Sequence, residues 1–408
     1  MASRVVSAMD EDVEKPLDIS RELIFAGFTQ NFSDMMSRRF LDITAVTIGA
    51  TVNQLSFLSA FRSLLGNILQ IPFGRIADNY SKRKIIAVSR ILGSILLFYI
   101  LTIENPSIFI YFVLGINILA NVAVIPWNSL LGDYTSEHNR GATIGRINSI
   151  TGMGGTLALL IAVFLNVVQP EAATRETFNN LILFSAITSF ISGILILNVK
   201  EKPSYENKEQ FHWSKITQNK VLLRYLVLNF FYGFSMSFSW PLFDYIAINK
   251  LGIEVWQISA ISLVSMFSSI FFQRFGSGLM DKYGRRPFIV ISRVLMAISP
   301  ASYALASSWI QILVTEAIVG LAMGAWMSSE PTYIIDIAPR NLRATYLASS
   351  TTFFGIASFF GSMAGGYYSN NFSLAGFSGV ESGLLVSAIL RAIVGLVFMS
   401  INETKPKD

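Results

Sequence analysis

The sequence predicts an all-α membrane protein with twelve transmembrane helices, arranged as two pseudo-symmetric bundles of six helices each. Three observations carry this prediction: the composition, an internal repeat, and the placement of the basic residues. Of the 408 residues, 52% are hydrophobic and only 14% are charged, and the mean hydropathy is +0.52. Soluble domains carry about a quarter charged residues. The chain is therefore too apolar for a soluble protein.

The internal repeat relates the two halves of the chain at one fixed distance. Asp78, which precedes the basic run Lys82–Lys84, lies 203 residues before Asp281, which precedes Arg285 and Arg286. The same offset separates further matching pairs: Gly49 and Gly252, Gln54 and Gln257, Ser56 and Ser259, Arg90 and Arg293, Asp133 and Asp336, and Arg140 and Arg343. Apolar composition alone would not match so many polar positions. Parallel repeats of this kind are an architecture of membrane transporters.

Twelve apolar stretches are long enough to be transmembrane helices, since about twenty apolar residues span the hydrocarbon layer. They are 22–46, 54–76, 84–103, 107–131, 145–167, 180–198, 222–248, 257–279, 287–307, 309–334, 344–367 and 379–400. The longest polar interruption lies between the sixth and the seventh. The predicted domains are therefore a cytoplasmic tail (1–21), a six-helix bundle (22–198), a cytoplasmic linker (199–221), a second six-helix bundle (222–400) and a cytoplasmic tail (401–408).

The basic residues test this topology independently. If both termini are cytoplasmic, the cytoplasmic segments hold 22 Lys and Arg residues, whereas the external loops hold two, Arg175 and Lys250. Cytoplasmic loops carry such an excess. We therefore expect a multi-pass protein of the cell membrane, embedded in the lipid bilayer, with both termini inside. Because the basic residues are spread over short loops, the net charge of +5 does not indicate a nucleic-acid partner.

The composition also excludes several kinds of chemistry. The chain has no cysteine, and its two histidines, His138 and His212, fall in predicted loops. Disulfides, thiol chemistry and a histidine metal site within the membrane are thereby excluded. No nucleotide-binding loop, catalytic triad or cluster of metal ligands is recognisable in the sequence. We therefore expect no enzymatic activity, no bound metal and no cofactor.

The repeated loop motif resembles the signature of the major facilitator superfamily. That signature reads Gly-x-x-x-Asp-(Arg/Lys)-x-Gly-Arg-Arg between the second and third helices, with a weaker copy between the eighth and ninth. The first copy here keeps Gly74, Asp78 and Arg83, but has Asn79 and Ser81 where a basic residue and a glycine are usual. The resemblance covers nearly the whole chain and implies the fold of that family.

The second copy of the motif keeps Asp281, Arg285 and Arg286. The loops after the fourth and tenth segments also resemble those of the family. The resemblance implies that these residues hold the cytoplasmic side closed and release when the two halves rock. The predicted gating residues are Gly74, Asp78, Arg83, Asp133, Arg140, Asp281, Arg285, Arg286, Asp336 and Arg343. The alternative is that the basic residues only set the topology.

The first segment carries an unusual polar face. Gln30, Asp34, Arg38 and Asp42 recur at every fourth residue, which places them on one side of a helix. A charge inside the membrane costs about 2.5–3.5 kcal/mol on insertion scales, so this face points at other helices or at water. Two interpretations stay open. The charges form a self-neutralising ladder, or Asp34 takes up and releases a proton as a central cavity changes sides.

Other charged residues of the predicted helices add further candidates. Asp244 in the seventh segment and Glu316 in the tenth are candidates for proton coupling beside Asp34. Glu330, near the cytoplasmic end of the tenth segment, is expected to pair with a basic loop residue. Arg391 has no partner that the sequence identifies.

Two further arginines, Arg90 and Arg293, occupy equivalent positions in the two repeats. This equivalence favours a shared structural role over contact with a solute. The expected partners are Asp78 and Asp281, or Asp133 and Asp336.

Aromatic residues beside amides suit a ring-shaped or sugar-like solute. The resemblance places the first, fourth, seventh and tenth helices around a central cavity. The candidate cavity residues are Asn31, Arg38, Arg62, Trp127, Asn128, Tyr232, Trp240 and Trp326. Because tryptophans also settle at the membrane interface, both interpretations stay open for the inner tryptophans.

From the resemblance we expect a monomeric secondary active transporter that moves a small organic solute by alternating access. The solute is a metabolite, a sugar or an organic acid, and H⁺ is the coupling ion, in symport or in antiport. The alternatives are an efflux antiporter for drugs or toxic compounds, and a channel or non-transporting sensor on the same scaffold. The run Gly152–Gly155 lacks the Gly-Pro pair that marks the drug–proton antiporter branch, which weighs against efflux.

Overall fold

The computed structural model describes residues 17–68, 80–134, 140–168, 175–202, 219–339 and 342–404. Within these ranges the chain is helical and contains no β-strand. The helices of the first half are α1 (Arg21–Thr47), α2 (Val52–Ile68), α3 (Lys82–Ile100), α4 (Pro106–Asp133), α5 (Arg140–Val168) and α6 (Arg175–Leu197). Those of the second half are α7 (Lys220–Ser237), α8 (Trp240–Asn249), α9 (Val255–Phe271), α10 (Ser277–Tyr283), α11 (Arg286–Leu295), α12 (Ile298–Leu305), α13 (Trp309–Ile337), α14 (Arg343–Asn371) and α15 (Gly379–Val397).

Local sequence explains where several helices begin. The Asn105 side chain accepts a hydrogen bond from the backbone N–H of Ser107 at 2.9 Å, and Pro106 is the first residue of α4. Asparagine at this position satisfies backbone N–H groups that the helix leaves unpaired, and proline loses nothing in the first turn. At the start of α15, Ser378 and Glu381 exchange hydrogen bonds in a reciprocal capping arrangement.

Each predicted apolar segment overlaps a helix, but three of them correspond to broken helices. The segment 222–248 covers α7 and α8, and 287–307 covers α11 and α12. The segment 257–279 covers α9 and α10, which are joined by a π-helical turn at Phe272–Gly276.

Eight helical stretches of the described residues are long and apolar enough to cross a membrane. The four predicted segments that do not meet this criterion contain α1, α2, α3 and α14. Helix α1 carries the polar face described above, and only 17 residues of α2 are described. The total of twelve spans therefore stays a prediction.

The described residues cluster into two compact units. The first unit takes in described residues within 1–41, 68–162 and 176–208, and the second takes in those within 42–67, 163–175 and 209–408. The core of the first unit includes Leu23, Ile86, Leu130, Ile147 and Ile196. The core of the second includes Leu226, Tyr232, Ile289, Tyr333 and Phe398. The units do not coincide with the predicted bundles, because α2 belongs to the second unit.

Large apolar side chains are exposed along helices of both units. In the first unit, Tyr99 and Tyr111 are 60% and 64% exposed, and in the second, Phe275 and Val314 are 67% and 60% exposed. Contiguous exposed apolar surface of this kind marks contact with lipid or with another protein. This pattern agrees with helices that face lipid.

The repeat is visible in the backbone as well as in the sequence. Gly49 after α1 has φ = 92°, and Gly252 after α8, at the same position of the second repeat, has φ = 57°. Both values lie in the left-handed region that favours glycine. The repeats differ at the next equivalent pair. Gly284 has φ = 92°, whereas Ser81 has φ = −57° and caps α3 with its hydroxyl.

Candidate functional site

A cavity of about 260 Å³ lies within the first unit, among α1, α3, α4, α5 and α6. Its α1 wall is polar, with Gln30, Asn31 and Asp34, whereas its α4 wall is apolar and ends at Trp127. Small-molecule sites of proteins occupy roughly 300–1,000 Å³, so this cavity is suited to a small ligand. Among the described residues that line it, Asp34 and Arg90 are the only charged ones.

The polar wall follows from the four-residue spacing on α1. Gln30 donates a hydrogen bond through Nε2 to Oδ1 of Asp34 at 3.0 Å, one turn away. The Asn31 amide donates to the backbone oxygen of Gly27 at 3.0 Å. The structure therefore brings the predicted residues Asn31 and Asp34 to one cavity. The side chain of Arg38 lies outside the described part of the chain.

Arg90 reaches the cavity from α3 and is only 6% exposed. Its Nη1 donates to the Ser192 hydroxyl at 2.7 Å and to the Ala26 carbonyl at 3.4 Å, so it ties α3 to α6 and α1. The guanidinium carbon lies 5.0 Å from the centre of the Trp127 ring, within the range of a cation–π interaction. Asp34 attracts the same guanidinium electrostatically.

The predicted pairing of Arg90 with Asp133 is wrong. Asp133 instead accepts hydrogen bonds from Lys82, at 2.9 Å, and from the backbone N–H of Lys202, at 3.1 Å. Asp133 is the last residue of α4, whereas Arg90 lies two turns inside α3. The alternative partner, Asp78, lies outside the described residues.

Arg293, the repeat equivalent of Arg90, is completely buried in the second unit. Its Nη2 lies 3.0 Å from Oε2 of Glu330 and also donates to Tyr225 and Asn229, both at 3.1 Å. Trp326, one turn before Glu330, donates to the same carboxylate oxygen. Arg293 therefore pairs with Glu330 and not with the predicted Asp336. Glu330 likewise pairs with this helix residue and not with a loop residue.

Arg90 and Arg293, which are equivalent in the two repeats, thus have different neighbours. The residue 203 positions before Glu330 is Trp127. An acid faces the arginine in the second unit, and an indole faces it in the first. The replacement of glutamate by tryptophan at this position can be found from the sequence, because Trp127 and Glu330 are separated by the repeat offset.

The predicted aromatic residues of the second unit lie in or beside its core. Tyr232 is completely buried and donates to the backbone oxygen of Arg293 at 3.0 Å. The rings of Trp240 and Trp326 lie 6.3 and 6.2 Å from the ring of Phe354. These contacts give Tyr232 a structural role in this conformation. In the first unit, Asn128 is exposed and does not line the described cavity.

The remaining charged candidates each have a polar environment. Arg62 and Asp42 form a bidentate ion pair with N–O distances of 2.7 and 2.5 Å. Asp42 therefore pairs with α2, which the ladder interpretation of α1 did not include. Asp244 attracts Arg62 electrostatically. Glu316 accepts a hydrogen bond from Ser299 at 2.7 Å.

Arg391 donates to three oxygen atoms, the backbone oxygens of Met296 and Met236, at 3.0 and 2.6 Å, and the hydroxyl of Ser239. Its partners are therefore neutral groups, which charge patterns in a sequence do not reveal. Two of the three lie at the ends of broken helices, where carbonyl oxygens lack helical partners.

The predicted gating residues of the first unit hold three chain segments together. Lys82 at the start of α3 pairs with Asp133 at the end of α4. The carboxylate of Glu201, after α6, accepts from the backbone N–H of Arg83 at 3.0 Å. Burial raises the pKa of Tyr134 to about 12, so its hydroxyl stays protonated and donates to the Lys200 carbonyl at 2.7 Å.

The second unit repeats this arrangement. Arg285, at the position equivalent to Lys82, lies 3.5 Å from Asp336, and the backbone N–H of Arg285 donates to Glu403 at 2.8 Å. Arg286 donates to the carbonyl of Met399. Gly74 and Asp78 lie outside the described residues, as do the side chains of Arg140, Asp281 and Arg343.

Comparisons with known proteins agree with this fold. The family model described as Major Facilitator Superfamily matches residues 23–239 and 225–408. An uncharacterised MFS-type transporter of Methanocaldococcus jannaschii is 24% identical over 374 residues, which cover 88% of this chain and 91% of the relative.

Solved structures of the same fold cover most of the chain. The nucleoside transporter NupG superimposes with a TM-score of 0.74 at 16% identity, and the match covers 93% of this chain and 98% of that transporter. A D-xylose–proton symporter superimposes with a TM-score of 0.70 at 17% identity, and the match covers 95% of this chain and 98% of the symporter.

Proposed function

The chain belongs to the Major Facilitator Superfamily, and we propose that it is a secondary active transporter that moves a small polar organic solute by alternating access, coupled to H⁺. As a member of this family it is a multi-pass membrane transporter and not an enzyme. The proposal extends to its location in the cell membrane, its cytoplasmic termini and its monomeric state, which the distribution of basic residues and the family resemblance support.

The cavity of the first unit is the observation that carries this proposal. One wall offers amide and carboxylate groups from Gln30, Asn31 and Asp34, and the facing wall offers the indole of Trp127. A polar solute with an apolar or ring-shaped face fits such a combination, because hydrogen bonds orient it while stacking holds it. Two proteins of the same fold are named for the polar solutes that they transport. One is a nucleoside transporter, and the other is a D-xylose–proton symporter.

Asp34 is the candidate for the proton-coupling residue in this proposal. Among the described residues that line the cavity it is the only carboxylate, and it interacts with Gln30 and with the Arg90 guanidinium. Protonation of Asp34 changes the net charge of the cavity by one unit. A change of this size in an environment with little water alters both solute affinity and the stability of a conformation. Asp244 and Glu316 stay second candidates.

The test is solute uptake by the purified protein in liposomes. Metabolites, sugars, organic acids and toxic hydrophobic compounds are first screened for a rise in melting temperature, because a ligand that binds only the folded state stabilises it. We expect saturable uptake of a stabilising solute, and we expect an imposed pH gradient to change its rate. The Asp34→Asn variant should lose the response to the gradient and retain saturable binding.

A matched variant tests whether this effect is specific to Asp34. The Glu316→Gln variant removes a carboxylate that lies outside the described cavity and should keep the response. If Asp34→Asn responds to the gradient like the wild type, Asp34 is not the coupling residue. Flux that does not saturate would indicate a channel. Proton-driven extrusion of hydrophobic compounds, without transport of polar solutes, would indicate efflux.

A further inference from the structure

Arg90 and Arg293 occupy the same position of the two repeats. Of these two arginines, Arg293 is within ion-pair distance of an acid among the residues that the structure describes, and Arg90 is not. The acid that neutralises Arg293 is Glu330, and its equivalent beside Arg90 is Trp127. The indole attracts the guanidinium through its π-electrons but carries no charge. Arg90 therefore places its positive charge at the wall of a cavity, whereas the charge of Arg293 is balanced inside the core by Glu330.

Two polar atoms of residues that line this cavity are buried without a hydrogen-bond partner. They are Nε of Arg90, a donor, and Oε1 of Gln30, an acceptor. Arg90 as a whole is only 6% exposed. The Nε atoms of Arg293 and Arg391 are buried and unpaired as well, but Arg90 also lines a cavity that a ligand can enter. A group that accepts from Arg90 and carries a donor nearby meets both requirements.

We propose that the cavity of the first unit binds a carboxylate group of the transported solute through Arg90, with the apolar part of the solute against Trp127 and the α4 wall. This inference rests on the proposed transport function and names its substrate class, small organic acids. Guanidinium groups bind carboxylates through strong, charge-assisted hydrogen bonds of fixed geometry. Gln30 accepts from a hydroxyl or amine beside the carboxylate.

Charge balance links this carboxylate to the proton. Among the described residues that line the cavity, the charged ones are Asp34 on α1 and Arg90 on α3, and those of α4, α5 and α6 are uncharged. With Asp34 ionised, a bound carboxylate is a second negative charge beside the one guanidinium among the described lining residues. A buried uncompensated charge is costly, and protonation of Asp34 removes it. The carboxylate and one proton therefore bind together.

The probes are small monocarboxylates and their matched neutral amides, lactate with lactamide and benzoate with benzamide. Binding to the detergent-purified full-length protein is measured by titration calorimetry at constant ionic strength. We expect carboxylates to bind at least about tenfold more tightly than their amides. We also expect carboxylate affinity to rise as the pH falls, by up to about tenfold per unit of pH, because each carboxylate binds together with one proton.

Two variants at position 127 separate charge from shape. Trp127→Glu copies the acid of the second unit beside Arg90 and should abolish the preference for carboxylates. Trp127→Gln introduces a side chain of the same size as glutamate but without its charge. It should weaken the binding of carboxylates and of amides equally, so that the preference for carboxylates over amides is unchanged. If Trp127→Glu does not fold, Arg90→Gln tests the same point. It should weaken carboxylate binding roughly thirtyfold or more, as expected when one partner of a buried charge pair is removed.

The outcomes separate this inference from the proposed function. Amides that bind the wild type as tightly as carboxylates, no carboxylate binding at all, or an unchanged preference in Trp127→Glu and Arg90→Gln would overturn the inference. Saturable, gradient-driven uptake of a neutral solute would then still support transport. If no solute gives saturable uptake, the proposed function fails, and the calorimetry still decides whether the carboxylate site exists.

Discussion

The buried arginines show how one residue type serves different purposes in equivalent positions. Arg293 is completely buried and its charge is balanced by Glu330, which also accepts a hydrogen bond from Ser350 at 3.2 Å. Arg90 is nearly as buried, and its surroundings are an indole, a hydroxyl, a backbone carbonyl and the carboxylate of Asp34, which attracts it. The first arrangement pairs the arginine with an acid inside the core, whereas the second places it at the wall of a cavity that Asp34 also lines.

Removal of the acid beside Arg293 should therefore destabilise the protein strongly. In Glu330→Ala, the Arg293 guanidinium stays buried without a counter-charge, which costs about 3–5 kcal/mol of the free energy of unfolding. Titration with a denaturing detergent, followed by circular dichroism, measures this loss. The double variant Arg293→Met with Glu330→Leu removes both charges and should recover most of the stability. An unchanged free energy of unfolding in Glu330→Ala would mean that the pair does not hold the second unit together.

At the residue scale, the sequence showed which buried positions carry charged side chains better than it showed the partners of those side chains. The spacing on α1 placed Asp34 on a polar face, and the repeat marked Arg90 and Arg293. The partners of Arg90 could not be predicted, because the hydroxyl of Ser192 and the carbonyl of Ala26 meet it only through helix packing. Tyr232 was a predicted cavity residue but lies in the core, since hydrophobic segments do not reveal which face turns inward.

At the scale of helices, glycine positions determine how closely two neighbours pack. A β-carbon on Gly320 of α13 would lie against the backbone oxygen of Ser265 on α9, at less than van der Waals distance. Gly324, one turn later, meets the backbone of Ser269 in the same way. These two glycines allow the backbones of α9 and α13 to approach, as small residues do in membrane helix pairs.

Replacement of Gly320 by alanine should push α9 and α13 apart. We expect a loss of about 1–3 kcal/mol in the free energy of unfolding, the usual range for overpacking of a tight contact. Gly152→Ala on α5 is the matched control, because a β-carbon there meets no atom within 4 Å and alanine favours the helix. Melting temperatures of the two variants in one detergent give the comparison. Equal melting temperatures would contradict the close α9–α13 contact.

The sequence predicted the helical segments better than their interruptions. Every predicted segment contains a helix, because about twenty apolar residues in a row are hard to mistake. The breaks between α7 and α8, and between α11 and α12, were not predicted. At the second break neither Met296 nor Ala297 is a residue that disrupts a helix. Interruptions of this kind depend on tertiary contacts, such as the hydrogen bond from Arg391 to the Met296 carbonyl.

At the scale of the whole molecule, the duplication accounts for most of what the sequence could predict. The repeat gave the family, and the family is confirmed by matches that span nearly the whole chain. The pairing of Lys82 with Asp133 recurs as the pairing of Arg285 with Asp336 at the same offset. The two halves differ at other positions, such as Trp127 in the place of Glu330, where the proposed binding site lies.

The absence of cysteine from the sequence makes a direct test of alternating access possible. A single Asn148→Cys substitution places one thiol on α5 at the cavity wall without touching Asp34 or Arg90. Ala158→Cys is the matched control on the same helix, because Ala158 is completely buried. Both variants are incorporated into vesicles of known orientation and exposed to a membrane-impermeant maleimide from one side at a time.

The rate of labelling from each side is the measurement that tests the central claim most directly. We predict that the thiol at position 148 reacts from both sides, and that an imposed pH gradient raises one rate while it lowers the other. The thiol at position 158 should react from neither side. Reaction at position 148 from one side only, or two rates that rise and fall together, would contradict a cavity that opens to the two sides in turn.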